Sequence, residues 1–219
     1  YSAADRLFGM FLFVPSIYIT AAFPTFSRLF VDNPAKLQKL ISKSFDSLFL
    51  LSVPIGFGLI AIANPLVILI FGAEFANSGP ILAVFGIVLI LTYQNILFGR
   101  FLIAADRQNA WTIVMALATL ATVLLDALLI PWCAAQFHNG AIGGALSFVV
   151  TEAAMMLMGL YLLPKGSLQL ANLWTAGRVL IAGILMLLVV WPLQHFFIAI
   201  PIFVGALTYL SLIFLLRLV

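Results

Sequence analysis

Long runs of apolar residues constrain this chain more strongly than any other feature. A helix needs about 20 mostly apolar residues to cross a bilayer. The runs are continuous rather than alternating, which disfavours the strands of a membrane barrel. The sequence therefore predicts an all-α fold, a polytopic membrane helix bundle with about seven transmembrane helices. The predicted spans lie near 7–29, 45–70, 81–103, 111–132, 141–163, 174–193 and 197–216.

The composition agrees with a membrane protein. Apolar residues make up 65% of the chain and charged residues only 8%, whereas a soluble domain carries about 25% charged residues. The net charge of +3 is too small to indicate a nucleic-acid partner. Cys133 is the only cysteine, and His138 and His195 are far apart in the sequence. We therefore expect neither an internal disulfide nor a metal site.

The tryptophans support the predicted span ends. Indole rings favour the headgroup region of a bilayer. Each of the four tryptophans falls at the end of a predicted span, which is the expected position for a membrane anchor. These residues are Trp111, Trp132, Trp174 and Trp191.

The basic residues predict how the chain is oriented in the membrane. Nine of the ten fall on one side if each run is a crossing, and the connections at 71–80, 133–140 and 194–196 contain none. By the positive-inside rule, the basic side is cytoplasmic. The N-terminus of the chain is then outside and the C-terminus is cytoplasmic. The nine residues are Arg28, Lys36, Lys39, Lys43, Arg100, Arg107, Lys165, Arg178 and Arg217.

Four prolines interrupt the first two predicted spans. Pro15 and Pro24 lie in the first span, and Pro54 and Pro65 lie in the second. Each proline removes one backbone hydrogen bond and tends to kink a helix. Such a defect persists at membrane depth only where neighbouring groups bind the freed carbonyl. The prolines are either hinges of a moving protein or static kinks, and the sequence leaves both interpretations open.

Glu152 is the most informative polar residue within a predicted span. It lies at the middle of the fifth span, where an acidic side chain costs roughly 2.5–3.5 kcal/mol on insertion scales. We therefore expect it to face a partner or water rather than lipid. One interpretation is a coupling site for a proton or another cation, which is the function we favour. The other is a neutral or hydrogen-bonded glutamate that links two helices.

A second polar face runs along the fourth predicted span. Thr112, Thr119 and Asp126 recur every seven residues, and Thr122 lies beside them. Residues at this spacing share one face of a helix. This face either lines a cavity or joins helices through hydroxyl hydrogen bonds, which contribute about 1 kcal/mol each. Asp126 favours the cavity, because joining helices requires no carboxylate.

The third predicted span carries Tyr93, Gln94 and Asn95 at mid-depth, with Arg100 seven residues after Tyr93. Three consecutive side chains cannot point in one direction, so at least one of them should contact another helix. We regard Tyr93, Asn95 and Arg100 as further cavity candidates. Arg100 is also long enough to extend its guanidinium to the inner interface.

A basic helix is predicted to precede the second span on the cytoplasmic side. Asn33 is a suitable N-cap, and Pro34 suits the first helical position. Lys36, Lys39 and Lys43 follow at a spacing that places them on one face. This face is expected to contact anionic lipid, at about 1 kcal/mol for each cation near the surface. The headgroup of a pyrophosphate-bearing substrate is the alternative ligand.

Several ordered segments resemble polysaccharide and O-antigen flippases. The segments Tyr1–Leu7 and Ala22–Leu29 (AFPTFSRL) resemble the eighth span of that family. The segments Val53–Gly56 and Ile70–Phe75 (IFGAEF) are similar to its landmarks around the ninth span. The remaining matches, over roughly the first 165 residues, are Leu102–Gln108, Leu125–Pro131, Gly140–Ala145 and Thr151–Glu152. The chain departs from the family at Asp126, where the family more often has asparagine.

The resemblance implies the C-terminal half of a member of the multidrug/oligosaccharidyl-lipid/polysaccharide exporter superfamily, whose members have 12–14 spans in two lobes. Residues 1–165 would form the C-terminal transporter lobe with five spans, and residues 166–219 would add two spans. The N-terminal lobe of the same protein would then be missing from this sequence. The implied location is the inner, cytoplasmic membrane.

The implied function is flipping of a polyprenyl-pyrophosphate-linked oligosaccharide for cell-surface polysaccharide synthesis by alternating access. The expected partners are this lipid-linked oligosaccharide and membrane lipids. No cofactor is expected apart from a coupling proton or sodium ion. A cation-coupled multidrug antiporter of the same superfamily is the alternative, since Glu152 and Asp126 would suit a cation.

Two other classes fit the sequence poorly. A seven-helix receptor would be expected to have a second cysteine to pair with Cys133 and an NPxxY-like segment in the last span. A membrane-embedded enzyme would be expected to show acidic or histidine clusters in a sizeable loop, and the longest loop here offers mainly lysines. We therefore predict a transporter and not an enzyme.

Overall fold

The computed structural model describes residues 1–216 and 218, and every regular element in that part of the chain is a helix. Six helical segments are long and apolar enough to cross a membrane, and a seventh, Ala199–Leu215, is shorter. The predicted all-α membrane bundle is therefore confirmed. The helices are α1 (Ser2–Phe11), α2 (Phe13–Asp32), α3 (Pro34–Phe71), α4 (Gly79–Ala104), α5 (Gln108–Phe137), α6 (Ala141–Leu162), α7 (Leu170–Val190) and α8 (Ala199–Leu215).

Helix α4 occupies the centre of the bundle and packs against α1, α2, α3, α5 and α6. Large side chains recur on it every four residues and are fully buried, including Phe85, Leu89 and Leu97. Helix α5 is the opposite case, because it packs mainly against α6 and leaves leucines such as Leu124 and Leu128 exposed. Exposed leucines of this kind suit a helix that faces lipid.

Two glycines allow α3 and α4 to meet backbone to backbone. A methyl group on Gly56 would overlap the carbonyl oxygen of Gly86, and one on Gly86 would overlap the carbonyl oxygen of Gly56. Small residues at such crossings let membrane helices approach closely. This contact fixes the register of the two helices that share the largest interface of the bundle.

The first predicted span consists of two helices because the chain breaks at Leu12. Pro15 follows the break, and because it has no N–H the carbonyl of Phe11 loses its usual helical donor. The hydroxyl of Tyr93 on α4 donates a hydrogen bond to that carbonyl, with an O–O distance of 2.7 Å. A side chain of the central helix therefore satisfies the backbone where the first span is broken.

The same arrangement occurs where α3 contains Pro54. This proline leaves the carbonyl of Leu50 without its helical donor. The hydroxyl of Tyr209 on α8 donates to that carbonyl over 2.7 Å. The expected partners of proline-freed carbonyls are therefore present at both Pro15 and Pro54. Whether the prolines also act as hinges stays a prediction.

Helix α3 begins where the sequence predicts it. The side chain of Asn33 accepts a hydrogen bond from the backbone N–H of Lys36 over 3.0 Å, and Pro34 is the first helical residue. The helix has 38 residues and is therefore about 57 Å long, whereas the hydrocarbon core is about 30 Å thick. Its N-terminal part, which carries the three exposed lysines, extends beyond that core.

The last two helices are attached to α3. The side-chain amide of Asn172, at the start of α7, donates to Ser42 and to Asp46 on α3, each over 2.8 Å. The Asn172 oxygen also accepts from the backbone N–H of Gln169 over 2.8 Å and so caps its own helix. Farther along α7, Gly183 lies against the side chains of α3. The proposed division of the chain after residue 165 stays a prediction.

Three of the four tryptophans are exposed at helix ends, as expected for membrane anchors. Trp132, Trp174 and Trp191 are each at least half exposed. Trp111 differs, because it is 7% exposed and packs against Gly99 of α4. Its ring fills the space that a side chain at Gly99 would need, so Trp111 packs between α5 and α4.

Removing either tyrosine hydroxyl should destabilise the protein. In Tyr93→Phe and Tyr209→Phe, a carbonyl that proline has freed loses its donor, at an expected cost of about 1–2 kcal/mol each. The measurement is thermal unfolding of the full-length protein in detergent. Tyr161→Phe is the matched control, because Tyr161 is 82% exposed and should leave the midpoint unchanged. Equal midpoints for all three variants would contradict the role assigned to the two hydroxyls.

A methyl group at the crossing of α3 and α4 should be costly. We expect Gly56→Ala and Gly86→Ala each to lower the free energy of unfolding by about 1–3 kcal/mol, the usual range for overpacking. Gly58→Ala is the control on the same helix, since no atom lies within 4 Å of its added carbon. If Gly58→Ala proved as damaging as Gly56→Ala, close contact would not be the cause.

Candidate functional site

A cavity of about 850 Å³ lies beside α5 and α6. Its lining is mainly apolar but includes two carboxylates and several hydroxyl groups. It contains no lysine, arginine or histidine from the described residues. The polar lining residues are Tyr1, Thr119, Thr122, Asp126, Thr151 and Glu152.

Close packing of α5 on α6 positions the walls of this cavity. Gly143 of α6 lies against the backbone of Leu129 and Ile130 on α5, so no side chain would fit at that position. A methyl group at Gly144, the next residue, would make ordinary contact with the ring of Tyr1 and with the Oδ1 atom of Asp126. Gly143 therefore brings the two helices together, and Gly144 places the α6 backbone next to Asp126 in the lining of the cavity.

Glu152 lies at the wall of the cavity and also has a partner on α4. Its side chain is 8% exposed. The amide nitrogen Nδ2 of Asn95 donates to the carboxylate oxygen Oε2 over 2.7 Å and to the backbone carbonyl of Glu152 over 2.9 Å. Asn95 thus holds both the side chain and the backbone of this residue. The expectation that Glu152 faces a partner or water rather than lipid agrees with this placement.

Asp126 lies on the α5 side of the same cavity and is half-buried. Its oxygen Oδ1 is buried and has no hydrogen-bond partner among the described residues. Burial raises the pKa of the Tyr1 phenol, and the carboxylates of Asp5 and Asp126 raise it further. The two carboxylates of the lining therefore come from different helices and are held differently, since a side-chain donor fixes only Glu152.

Thr119 and Thr122 line the cavity without joining α5 to another helix. Each hydroxyl donates to a carbonyl one turn earlier in its own helix, at Met115 and Ala118 respectively, over 2.9 Å. Thr112, the first member of the polar face, is exposed and lies outside the lining. Thr119, Thr122 and Asp126 line the cavity, and their function there stays a prediction.

The structure places the other three cavity candidates outside the lining. Tyr93 is fully buried, and its hydroxyl donates a hydrogen bond to the carbonyl of Phe11. Asn95 does not line the cavity itself but donates a hydrogen bond to Glu152, which does. Arg100 is exposed near the end of α4, which fits extension of its guanidinium towards the interface. The predicted interhelical contact within the Tyr93–Asn95 segment is present for both Tyr93 and Asn95.

The predicted basic face is exposed and lies next to the connection between α6 and α7. Lys36, Lys39 and Lys43 are all exposed on the N-terminal part of α3. The side-chain amide of Gln38 on the same helix donates to the backbone carbonyl of Lys165 over 3.3 Å. This contact brings the connection between α6 and α7 next to the three lysines. Arg217, also assigned to the basic side, lies outside the described residues.

Sequence reasoning missed two features of these polar regions. The pairing of Asn95 with Glu152 joins residues 57 positions apart, and no periodicity in the sequence indicates it. Asp46, which binds Asn172, had a usable signal: it is a carboxylate inside a predicted span. Within the described part of the chain, no three acidic, histidine or cysteine side chains form a group that would hold a metal.

The long apolar helices around the buried α4 define a multi-pass membrane helix bundle. Over 99% of its length, the chain superposes on the lipid II flippase MurJ in an inward closed conformation, with a TM-score of 0.76 and 16% sequence identity. At that identity the likeness establishes the fold. The superposition covers 47% of the flippase chain.

Two sequence comparisons agree with this fold. A family model described as polysaccharide biosynthesis protein matches residues 1–80. The succinoglycan biosynthesis transport protein ExoT of Rhizobium meliloti (strain 1021) is 26% identical over 213 residues, covering 92% of this chain and 40% of the relative. The resemblance to polysaccharide flippases is thereby confirmed, and the chain spans less than half the length of each of these two proteins.

Proposed function

We propose that the whole protein moves a lipid-linked oligosaccharide from the inner to the outer leaflet of the cytoplasmic membrane by alternating access. The observation that carries the proposal is a cavity with two carboxylates and several hydroxyl groups in its lining, beside helices long enough to cross a membrane, within a fold like that of a lipid flippase. A sugar headgroup needs such a cavity to cross the hydrocarbon core, where polar groups without partners are costly. The names of both relatives, a polysaccharide transport protein and a flippase, support the same function.

The lining of the cavity suits a carbohydrate. Thr119, Thr122 and Thr151 use their hydroxyl protons within their own helices, so their oxygen lone pairs are available to accept from sugar hydroxyls. Asp126 and Glu152 supply carboxylates that bind a coupling proton or sodium ion. Coupling requires that the ion binds one conformation of the transporter more tightly than the other. A carboxylate that is charged in one conformation and neutralised by the ion in the other would provide this difference.

The basic face supplies the cytoplasmic contact. Lys36, Lys39 and Lys43 lie where α3 leaves the membrane, on the side that the positive-inside rule assigns to the cytoplasm. They bind the anionic pyrophosphate headgroup or anionic lipid before the sugar enters the cavity. In this orientation the N-terminus of the chain is outside and the C-terminus is cytoplasmic.

A lobe supplied by another part of the protein would complete the transport pathway. This proposal fits the fraction of each relative that the chain covers, 40% and 47%. The multidrug antiporter considered from the sequence has no support in the described function of either relative, and we do not propose it. The function is transport, with no cofactor beyond the coupling ion.

The test uses the full-length protein in proteoliposomes with a labelled polyprenyl-pyrophosphate oligosaccharide. We expect leaflet transfer by the wild type and a fall to the level of protein-free liposomes for Glu152→Gln, because the amide cannot change its charge. Membrane insertion should be unaffected, since glutamine is easier to insert than glutamate.

Glu74→Gln is the matched control. Glu74 is an exposed carboxylate in the short connection between α3 and α4, away from the cavity. It should transfer substrate at the wild-type rate. Wild-type rates for Glu152→Gln would remove the coupling role of this residue, and absence of transfer by the wild type would contradict the proposed function.

A further inference from the structure

Asn95 leaves an unusual polar atom behind the wall of the cavity. Its side chain is only 5% exposed, and its oxygen Oδ1 has no hydrogen-bond partner among the described residues. Its nitrogen Nδ2 lies 2.7 Å from the Glu152 carboxylate. Because Oδ1 and Nδ2 are bonded to the same carbon, Oδ1 lies within a few ångströms of that carboxylate. Buried polar atoms without a partner are rare, and an unoccupied ion site is one recognised cause.

The neighbouring threonine hydroxyls do not donate to this atom. The hydroxyl of Thr92, one turn before Asn95 on α4, donates to the carbonyl of Val88 over 2.9 Å. The hydroxyl of Thr151 donates to the carbonyl of Ser147 over 3.0 Å. Since both protons are committed to backbone carbonyls, both threonine oxygens present lone pairs. Asn95 Oδ1 is therefore left without a donor from the described residues while it lies close to a carboxylate.

A cation would satisfy Asn95 Oδ1 and the Glu152 carboxylate better than water would. The described residues of the cavity lining include no basic side chain to balance the carboxylate. Water would satisfy Oδ1 but leave the charge of Glu152 uncompensated within the membrane, where ionised groups are expensive. Amide, hydroxyl and carboxylate oxygens are the ligands that hard cations prefer. A proton shared between the carboxylate and Oδ1 would have the same effect.

We propose that Asn95 and Glu152 share one monovalent cation, a proton or a sodium ion, which enters from the cavity and is bound between α4 and α6. Asn95 then has two functions: Nδ2 positions the carboxylate, and Oδ1 is a ligand of the ion. Because α4 is the central helix and α6 forms the cavity wall, occupancy of the site links the wall to the centre of the bundle. Its use in transport rests on the proposed function, whereas binding itself does not.

The test measures ion-dependent stability of the full-length protein in detergent. A ligand that binds the folded state raises the unfolding midpoint in a concentration-dependent way. One arm titrates sodium against N-methylglucamine at constant ionic strength and pH, and the other lowers the pH without sodium. We expect a saturable rise in one arm, which identifies the cation. Asn95→Leu and Glu152→Gln should each weaken the apparent affinity at least about tenfold, as loss of a metal-site contact does.

Gln94→Leu is the matched control. Gln94 is the neighbouring amide on α4, it is fully buried, and neither of its polar side-chain atoms has a partner among the described residues. This variant removes a buried amide without touching the proposed site. It should keep the ion response of the wild type even if its midpoint in the absence of ions differs.

Asn95→Asp separates ion binding from a purely structural role and also serves if Asn95→Leu fails to fold. The introduced carboxylate cannot donate to Glu152, so a structural role predicts loss of stability under all ionic conditions. The proposed site predicts instead a stronger ion response, since two adjacent carboxylates require a cation. An unchanged response in Asn95→Leu, or no response of the wild type in either arm, would overturn the inference. Neither result would affect leaflet transfer by the wild type, on which the proposed function stands.

Discussion

A backbone carbonyl within a membrane needs a donor from the protein, because the hydrocarbon core offers no water. The bundle meets this requirement at two prolines with tyrosine hydroxyls from other helices. Tyr93 binds the carbonyl that Pro15 frees, and Tyr209 binds the carbonyl that Pro54 frees. These bonds tie the broken first span to α4 and the last helix to α3. Since α3 and α4 are in turn joined at Gly56 and Gly86, the framework of the bundle depends on these contacts.

This framework separates two kinds of polar residue at membrane depth. The hydroxyls of Tyr93 and Tyr209 donate hydrogen bonds to backbone carbonyls and stabilise the fold. Their protons are therefore not available to a ligand. Asp126 and Glu152 lie at the cavity walls, where they are available to a ligand or an ion. Asn95 belongs to both kinds. Its amide nitrogen donates to Glu152, and its amide oxygen has no partner among the described residues.

The sequence predicts much of this arrangement because the bilayer leaves few alternatives. The spans follow from the length of the apolar runs, and the start of α3 follows from Asn33 and Pro34. The polar face with Thr119, Thr122 and Asp126 follows from helical periodicity. In each case the signal is local, so residues close in sequence are enough to reveal it.

Features that depend on distant residues were not predictable in this way. The break at Leu12 lies inside an apolar run, and its stabilisation depends on Tyr93, 82 positions away. Trp111 satisfies the pattern of a membrane anchor, yet it is buried because Gly99 opens a space on α4. The partner of Glu152 likewise depends on how α4 and α6 are aligned. Pairings between helices follow from packing, which one sequence does not display.

The most direct test of the account is the accessibility of the cavity to water in the full-length protein. In a background where the buried Cys133 is replaced by alanine, single cysteines would be introduced at Thr122 and Asp126, and at the exposed leucines 124 and 128 of the same helix. A maleimide that reacts only in water would be applied to both faces of membrane vesicles. The account predicts modification at 122 and 126 and none at 124 and 128. Equal modification at all four positions, or modification of the leucine positions alone, would contradict it.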